Sequence, residues 1–269
     1  MSRATLRRDG IVLAYEDVGE GPSVVFQHGL GADANQIAEI FPPEAPVRRI
    51  TLECRGQGQS ELGPREALSI ATFADDVLFL AEHLGIRRAM VGGLSMGAAI
   101  ALRIAVMRPE LVRGLILSRP AWLFDVAPES MQPFALAGAL LAKREGDAAW
   151  AAFHETAIAQ RLAREAPDNL ASLRGFFARP ARHAIAALIS AIAADGPRIS
   201  KEQARRLAVP TLVIGHRDDL VHPFDHAARL AAAIPSAELV EITSKVASHA
   251  RYVADFRAAI AAFIAAHPA

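Results

Sequence analysis

Cysteine is almost absent from this sequence. Cys54 stands alone among 269 residues, so neither an internal disulfide nor a thiolate metal cage can form. Aromatic residues are sparse at 6%, and 29 basic side chains against 29 acidic ones leave a formal net charge of zero. Without a basic excess there is no electrostatic reason to expect binding to a phosphate backbone or a polybasic attachment to membranes. Long apolar runs are missing too. The longest stretches, such as Phe134 to Ala142 and Ala184 to Ala194, fall well short of the roughly 18 residues a spanning helix needs. The opening segment carries Arg3, Arg7, Arg8 and Asp9 where a secretory signal would have an apolar stretch. A soluble, cytoplasmic protein is expected. The chain is 52% hydrophobic, long enough for one globular α/β unit with an inserted subdomain.

β-branched apolar runs alternate with helical patterns along most of the chain, the signature of a parallel sheet covered by helices. The start differs: Ala4 to Arg8 and Ile11 to Val18 flank Asp9-Gly10, a dipeptide suited to a tight hairpin. Ser23 to Phe26, Val47 to Glu53, Ala89 to Gly92, Val112 to Leu117, Val209 to Ile214 and Glu238 to Thr243 read as further strands. Ser69 suits the N-cap of a helix ending near Gly85, with Ile70, Phe73, Val77, Leu80 and Leu84 on its buried face. Further helices are expected over Pro223 to Ile234 and Arg251 to Ala266. Between Ala121 and Arg206 strand signals vanish and the residues turn helical, Ala-rich and punctuated by proline, which reads as an insertion between two sheet strands.

Gly93-Leu94-Ser95-Met96-Gly97 falls between a short buried strand and a helix. A serine on so tight a turn needs a strained backbone, and flanking glycines avoid collisions that side chains would cause. The blander alternative is a glycine-rich helix start packed against the sheet, which does not require the central serine. A dinucleotide fingerprint fails on spacing, because Leu94 stands two positions after Gly92. Acyl transfer also needs donors for a developing oxyanion. The Met96 N–H at the helix start is one candidate. The Leu30 N–H in His28-Gly29-Leu30-Gly31 is another, with His28 orienting that loop; taken alone, the segment also reads as an ordinary glycine turn.

The chain resembles α/β-hydrolase fold proteins over nearly its whole length. The resemblance rests on the N-terminal hairpin, His28-Gly29, Arg55-Gly56-Gln57-Gly58-Gln59-Ser60, the Gly-x-Ser-x-Gly turn and the Pro210 to Pro223 segment. It implies a mostly parallel eight-stranded sheet with helices on both faces. Residues 1–120 and 207–269 would form the core, and residues 121–206 a helical cap. Glu53 departs from the aspartate usual in the family before the Arg-Gly-x-Gly-x-Ser loop, and Arg55 and Ser60 read as scaffold.

The family's triad acid follows the strand ending at Ile214, where Asp218 and Asp219 compete. Spacing from Gly215 picks Asp218, whereas spacing from both Pro210 and Pro223 picks Asp219, the preferred candidate. His222 and His226, four apart, have a spacing a metal could use, but no third ligand is evident and Pro223 reads instead as the first turn of a helix. Family members carry Gly-His after the last strand. Here Thr243-Ser244-Lys245-Val246-Ala247-Ser248-His249 follows, and His249 falls two to three residues late. It reaches Ser95 only if that loop bulges or the final helix starts later; otherwise it is a surface histidine in a degraded triad.

Trp122, Phe124, Phe134, Phe153, Phe176 and Phe177 concentrate in the insertion. Most fill its own core, and some should roof a pocket for a small apolar ester-like substrate, with His28, Gly29 and Trp122 as binding candidates. Arg174, Arg179 and Arg182 could meet a carboxylate but read more simply as a solvated face. The expected activity is a cofactor-free serine hydrolase of carboxylic esters or related acyl compounds, using Ser95, His249 and Asp219 with Leu30 and Met96 as oxyanion donors. A perhydrolase, a carbon–carbon bond hydrolase and a non-catalytic ligand-binding protein remain as alternatives.

Overall fold

The computed structural model describes residues 2–268. Its first half contains β1 (Ser2–Arg8), β2 (Ile11–Val18), β3 (Ser23–Gln27), α1 (Ala34–Ile40), β4 (Arg48–Leu52), α2 (Ile70–His83), β5 (Ala89–Leu94), α3 (Met96–Met107) and β6 (Val112–Ser118). Six helices come next: α4 (Gln132–Leu141), α5 (Gly146–His154), α6 (Ala157–Glu165), α7 (Pro167–Phe177), α8 (Arg182–Ala193) and α9 (Lys201–Arg205). The chain then returns to the sheet with β7 (Thr211–Gly215), α10 (Phe224–Ala233), β8 (Ala237–Glu241) and α11 (His249–Ala266).

The eight strands form one sheet in the order β1-β2-β4-β3-β5-β6-β7-β8. The β1–β2 hairpin is antiparallel, with Arg8 opposite Ile11 across the Asp9-Gly10 turn, and β2 runs antiparallel to β4. All remaining pairs are parallel.

Alternation along the central strands builds a core on each face of the sheet. Val25, Val91, Leu115 and Leu117 pack on the side of α2 and α3, joined by Phe73, Val77, Leu80, Ile100 and Ile104. Their neighbours Val24, Phe26, Met90 and Ile116 pack on the other side against Ile37 and Ile40 of α1 and Phe256, Ile260 and Phe263 of α11. Each such side chain, fully buried, contributes about 1.5–3 kcal/mol. The Ser69 hydroxyl caps α2 by accepting from Thr72 N–H. None of the helices among the described residues is long and apolar enough to cross a membrane.

Most element boundaries shift by one or two residues from the sequence expectation, and two of the shifts bear on the site. Strand β5 continues through Gly93 to Leu94, so the turn at Ser95 is sharper than a glycine-rich loop would be. The last helix begins at His249 instead of Arg251, because the Ser248 side chain accepts from Arg251 N–H and so caps the helix earlier.

Candidate active site

Ser95 joins β5 to α3 with φ 58° and ψ −110°, a left-handed conformation costing a non-glycine residue about 1–3 kcal/mol. The flanking glycines are required by contact. A Cβ on Gly93 would lie 2.3 Å from the Gly97 carbonyl carbon, and one on Gly97 would lie 2.2 Å from the Gln27 carbonyl oxygen. The Ser95 N–H donates to Ser118 O at the end of β6 (2.9 Å). Strand and helix thus pin the backbone and leave the hydroxyl standing above the sheet.

The Ser95 hydroxyl is bonded to His222 Nε2 at 2.8 Å. His222 Nδ1 lies 2.9 and 3.0 Å from the two Asp219 carboxylate oxygens, so Nδ1–H donates to Asp219 and Nε2 accepts from the serine. Asp219 Oδ1 also accepts from Val221 N–H (3.2 Å) and His222 N–H (2.9 Å), and these bonds fold the residues after β7 into a tight turn. A second clamp comes from α7, where Asn169 Oδ1 accepts from Leu220 N–H (2.9 Å) and Val221 N–H (3.1 Å).

Arg119, with φ 44° just after β6, holds the carboxylate from the far side. Its Nε and Nη2 donate to Asp219 Oδ2 at 3.1 and 2.5 Å, and its Nη1 donates to the Tyr252 hydroxyl at 2.8 Å. Burial alone would raise the Asp219 carboxyl, but His222 and Arg119 together hold it well below the usual carboxylate range. Burial pushes the His222 ring below its ordinary value against the pull of Asp219, and the Arg119 charge adds to that push. The ring is therefore neutral near pH 7 and able to accept a proton. A hydroxyl, a neutral imidazole and an ionised carboxylate in this order can generate an alkoxide nucleophile and return its proton to a leaving group.

The geometry corrects the expectation for His249. As the first residue of α11, its ring turns outward, 53% exposed, with Nε2 3.1 Å from Glu39 and its face stacked on Tyr252. In the sequence alone His222 reads only as half of a metal pair with His226. The missed signal was Asp219-x-x-His222 itself, because a turn closed on an aspartate brings a ring three residues later back onto that carboxylate. Of the two competing aspartates, Asp219 is buried against the ring, while Asp218 is exposed with φ 61°.

The other expected residues divide. The N–H groups of Gly29 and Gly31, on either side of Leu30, are taken by Gln36 Oε1 (2.7 Å) and Gln57 Oε1 (2.6 Å). Leu30 lines the pocket with Ser95, and Met96 is the first residue of α3. Gly29 lies against Ser95, since a Cβ there would be 3.5 Å from Ser95 Cβ.

His28 does not line the pocket. It is wholly buried, Nδ1–H donates to Gly29 O (2.8 Å), Nε2 accepts from Cys54 N–H (3.0 Å), and burial lowers its pKa. Trp122 does not line it either, because its indole N–H donates to Asp195 O (2.8 Å) inside the core. Both had been expected to touch substrate, and both instead satisfy backbone groups that a folded core cannot leave unpaired.

The pocket over Ser95 measures about 290 Å³. Met131, Phe134 and Phe176 from the helical insertion face it, whereas Phe153 and Phe177 pack with Trp150 away from it.

A family model described as the alpha/beta hydrolase fold matches residues 22–245. The protein named "Putative carbamate hydrolase RutD" of Rhizobium rhizogenes is 30% identical over 232 residues, covering 83% of this chain and 84% of its own length. The AB hydrolase superfamily protein YisY of Bacillus subtilis is 29% identical over 251 residues, covering 86% of each. Among solved structures, the enol-lactonase of Burkholderia xenovorans superposes with a TM-score of 0.70 at 26% identity, covering 98% of both chains.

Proposed function

The chain belongs to the α/β-hydrolase fold family, and from that premise we propose that it is a serine hydrolase of carboxylic esters or related small acyl compounds. Hydrolysis as the reaction class accords with the family and with relatives named for carbamate and enol-lactone hydrolysis. The observation that carries the finer reading is the 2.8 Å bond between Ser95 Oγ and a His222 ring backed by Asp219.

In this mechanism Ser95 Oγ attacks the substrate carbonyl carbon while His222 Nε2 takes the hydroxyl proton. The carbonyl electrons move onto oxygen, where the N–H groups of Met96 and Leu30 stabilise the anion. As the tetrahedral intermediate collapses, the bond to the leaving group breaks and His222 delivers the proton to it. A water molecule then repeats the sequence on the acyl-serine, giving the free acid and restoring Ser95. Asp219, fixed by Arg119 and two backbone N–H groups, keeps the ring in the tautomer that accepts at Nε2 and stabilises the imidazolium.

The alternative of a binding protein with a degraded triad drew its support from the displacement of His249. The His222 imidazole, bonded to Ser95 from another loop, supports the catalytic reading instead. Hydrolysis of short-chain methyl esters by the wild-type protein, followed by pH-stat, tests the proposal. Turnover should fall to background in Ser95→Ala, and turnover retained in that variant would refute it.

A further inference from the structure

The charged side chains lining the pocket are Glu39, Arg119, Asp168, Arg179 and Lys245. Four of them are engaged. Arg119 is committed to Asp219 and Tyr252. Lys245 Nζ pairs with Asp168 Oδ1 at 2.9 Å. Glu39, half exposed at the mouth, is bonded by His249.

Arg179 differs. Its guanidinium lies over the Phe176 ring, 4.8 Å from the centroid, and donates through Nη2 to Gly31 O. Among the described residues it has no ion-pair partner. Asp33 favours its charge only through space, because that carboxylate accepts from Asn35 N–H (2.9 Å) and Asn35 Nδ2 (3.2 Å) as a helix cap. The other two arginines of the same stretch turn away from the pocket, Arg174 over Trp150 and Arg182 against Glu145. A half-buried cation with spare N–H groups, resting on an aromatic face inside a small cavity, is built to meet an anion.

Position gives the anion its place on the substrate. Arg179 bonds Gly31, and Gly29 of the same turn lies against Ser95. Leu30, the candidate oxyanion donor, stands between them. Since Arg179 and Ser95 line the same pocket of about 290 Å³, a carboxylate held by Arg179 would be joined by a short spacer to a carbonyl facing Ser95. We propose that Arg179 is a recognition residue for a carboxylate on the acyl portion of the substrate, so that the pocket prefers monoesters of short dicarboxylic acids to their neutral counterparts. This rests on the assignment of Ser95 as nucleophile only for the orientation of the ester, and Phe134 and Phe176 would cover the spacer.

The test uses two probes of equal length, monomethyl glutarate and methyl pentanoate, titrated calorimetrically into the full-length Ser95→Ala protein so that no chemistry intervenes. Monomethyl glutarate is expected to bind at least tenfold more tightly. That ratio should collapse in the Ser95→Ala/Arg179→Gln double variant and be partly kept when Arg179→Lys replaces Arg179→Gln. Comparing the two probes within one protein removes any general effect of the substitution on folding. Equal affinity for both probes, a ratio unchanged by Arg179→Gln, or no binding of monomethyl glutarate would each overturn the proposal. Loss of Ser95-dependent ester hydrolysis with this binding pattern intact would instead refute only the hydrolase reading.

Discussion

Asp219 and His222 stand three positions apart on a single turn, and the ring of the second is bonded to the carboxylate of the first at 2.9 Å. One loop after β7 therefore delivers both the acid and the imidazole to Ser95, and whatever moves that loop moves both together. The loop after β8, where the family resemblance places the imidazole, contributes Lys245 to the pocket instead.

Asp219→Asn should lower kcat for ester hydrolysis by about 10³–10⁴-fold, because the ring loses the partner that sets its tautomer. Asp218→Asn should change kcat by less than about threefold, since Asp218 is exposed and its φ of 61° suits asparagine as well as aspartate. Steady-state kinetics of the two variants decide; equal losses would remove the distinction.

Arg119→Gln removes a positive charge that helps keep the His222 ring below its ordinary pKa. The ring must be neutral to accept the serine proton, so activity rises with pH along an acidic limb lying below about 6.5 in the wild type. In the variant that limb should move to higher pH, accompanied by a stability loss of about 3–5 kcal/mol from breaking a buried ion pair. A pH profile of kcat/KM whose limb stays fixed or moves downward would contradict this role.

Asn169→Leu strips the acceptor from the N–H groups of Leu220 and Val221. The expected loss is about 1–3 kcal/mol of stability and about tenfold in kcat, since α7 then no longer holds the loop that carries the ring. Asn169→Asp keeps an acceptor and should recover part of the kcat. Equal kcat values in the two variants would make the clamp merely structural.

Stability should fall on acidification through pH 6.5. Burial lowers the pKa of His28, His216, His222 and His226 in the folded protein, while the unfolded chain takes up protons near 6.5. A histidine with a lowered folded pKa costs stability as pH drops below its unfolded value, about 1.4 kcal/mol per pH unit for a fully buried site such as His28. Denaturant titrations at pH 7.5, 6.5 and 5.5 should show this slope, reduced by about one proton in His28→Asn. The carboxylate of Asp219, with its pKa lowered, adds acid sensitivity only near pH 4 and below. A flat profile between pH 7.5 and 5.5 would contradict the neutral buried rings.

Local chemistry explains what could be read before the structure. Gly93, Ser95 and Gly97 announce themselves because the turn excludes side chains at the outer positions. Asp9-Gly10, Ser69 and the alternating β-branched runs likewise place the hairpin, α2 and the central strands through forces acting within a few residues. The imidazole was not legible in the same way, because its place depends on a turn closed by Asp219 side-chain bonds and clamped by Asn169, 50 residues earlier in the sequence. The end of the last loop was misjudged for a local reason: Ser248 starts α11 early and turns His249 outward. Trp122 reads as a binding candidate from the aromatics gathered in the insertion and His28 from its loop beside Ser95, whereas their hydrogen bonds to Asp195, Gly29 and Cys54 commit them to the core.

The rate at which a fluorophosphonate probe modifies the protein, with the modified residue located by mass spectrometry, tests the central claim most directly. The wild type and His249→Ala should both label at Ser95 at similar rates, and His222→Ala should label at least about 10²-fold more slowly. Undiminished labelling of His222→Ala, or labelling lost in His249→Ala, would show that His222 is not the base that activates Ser95.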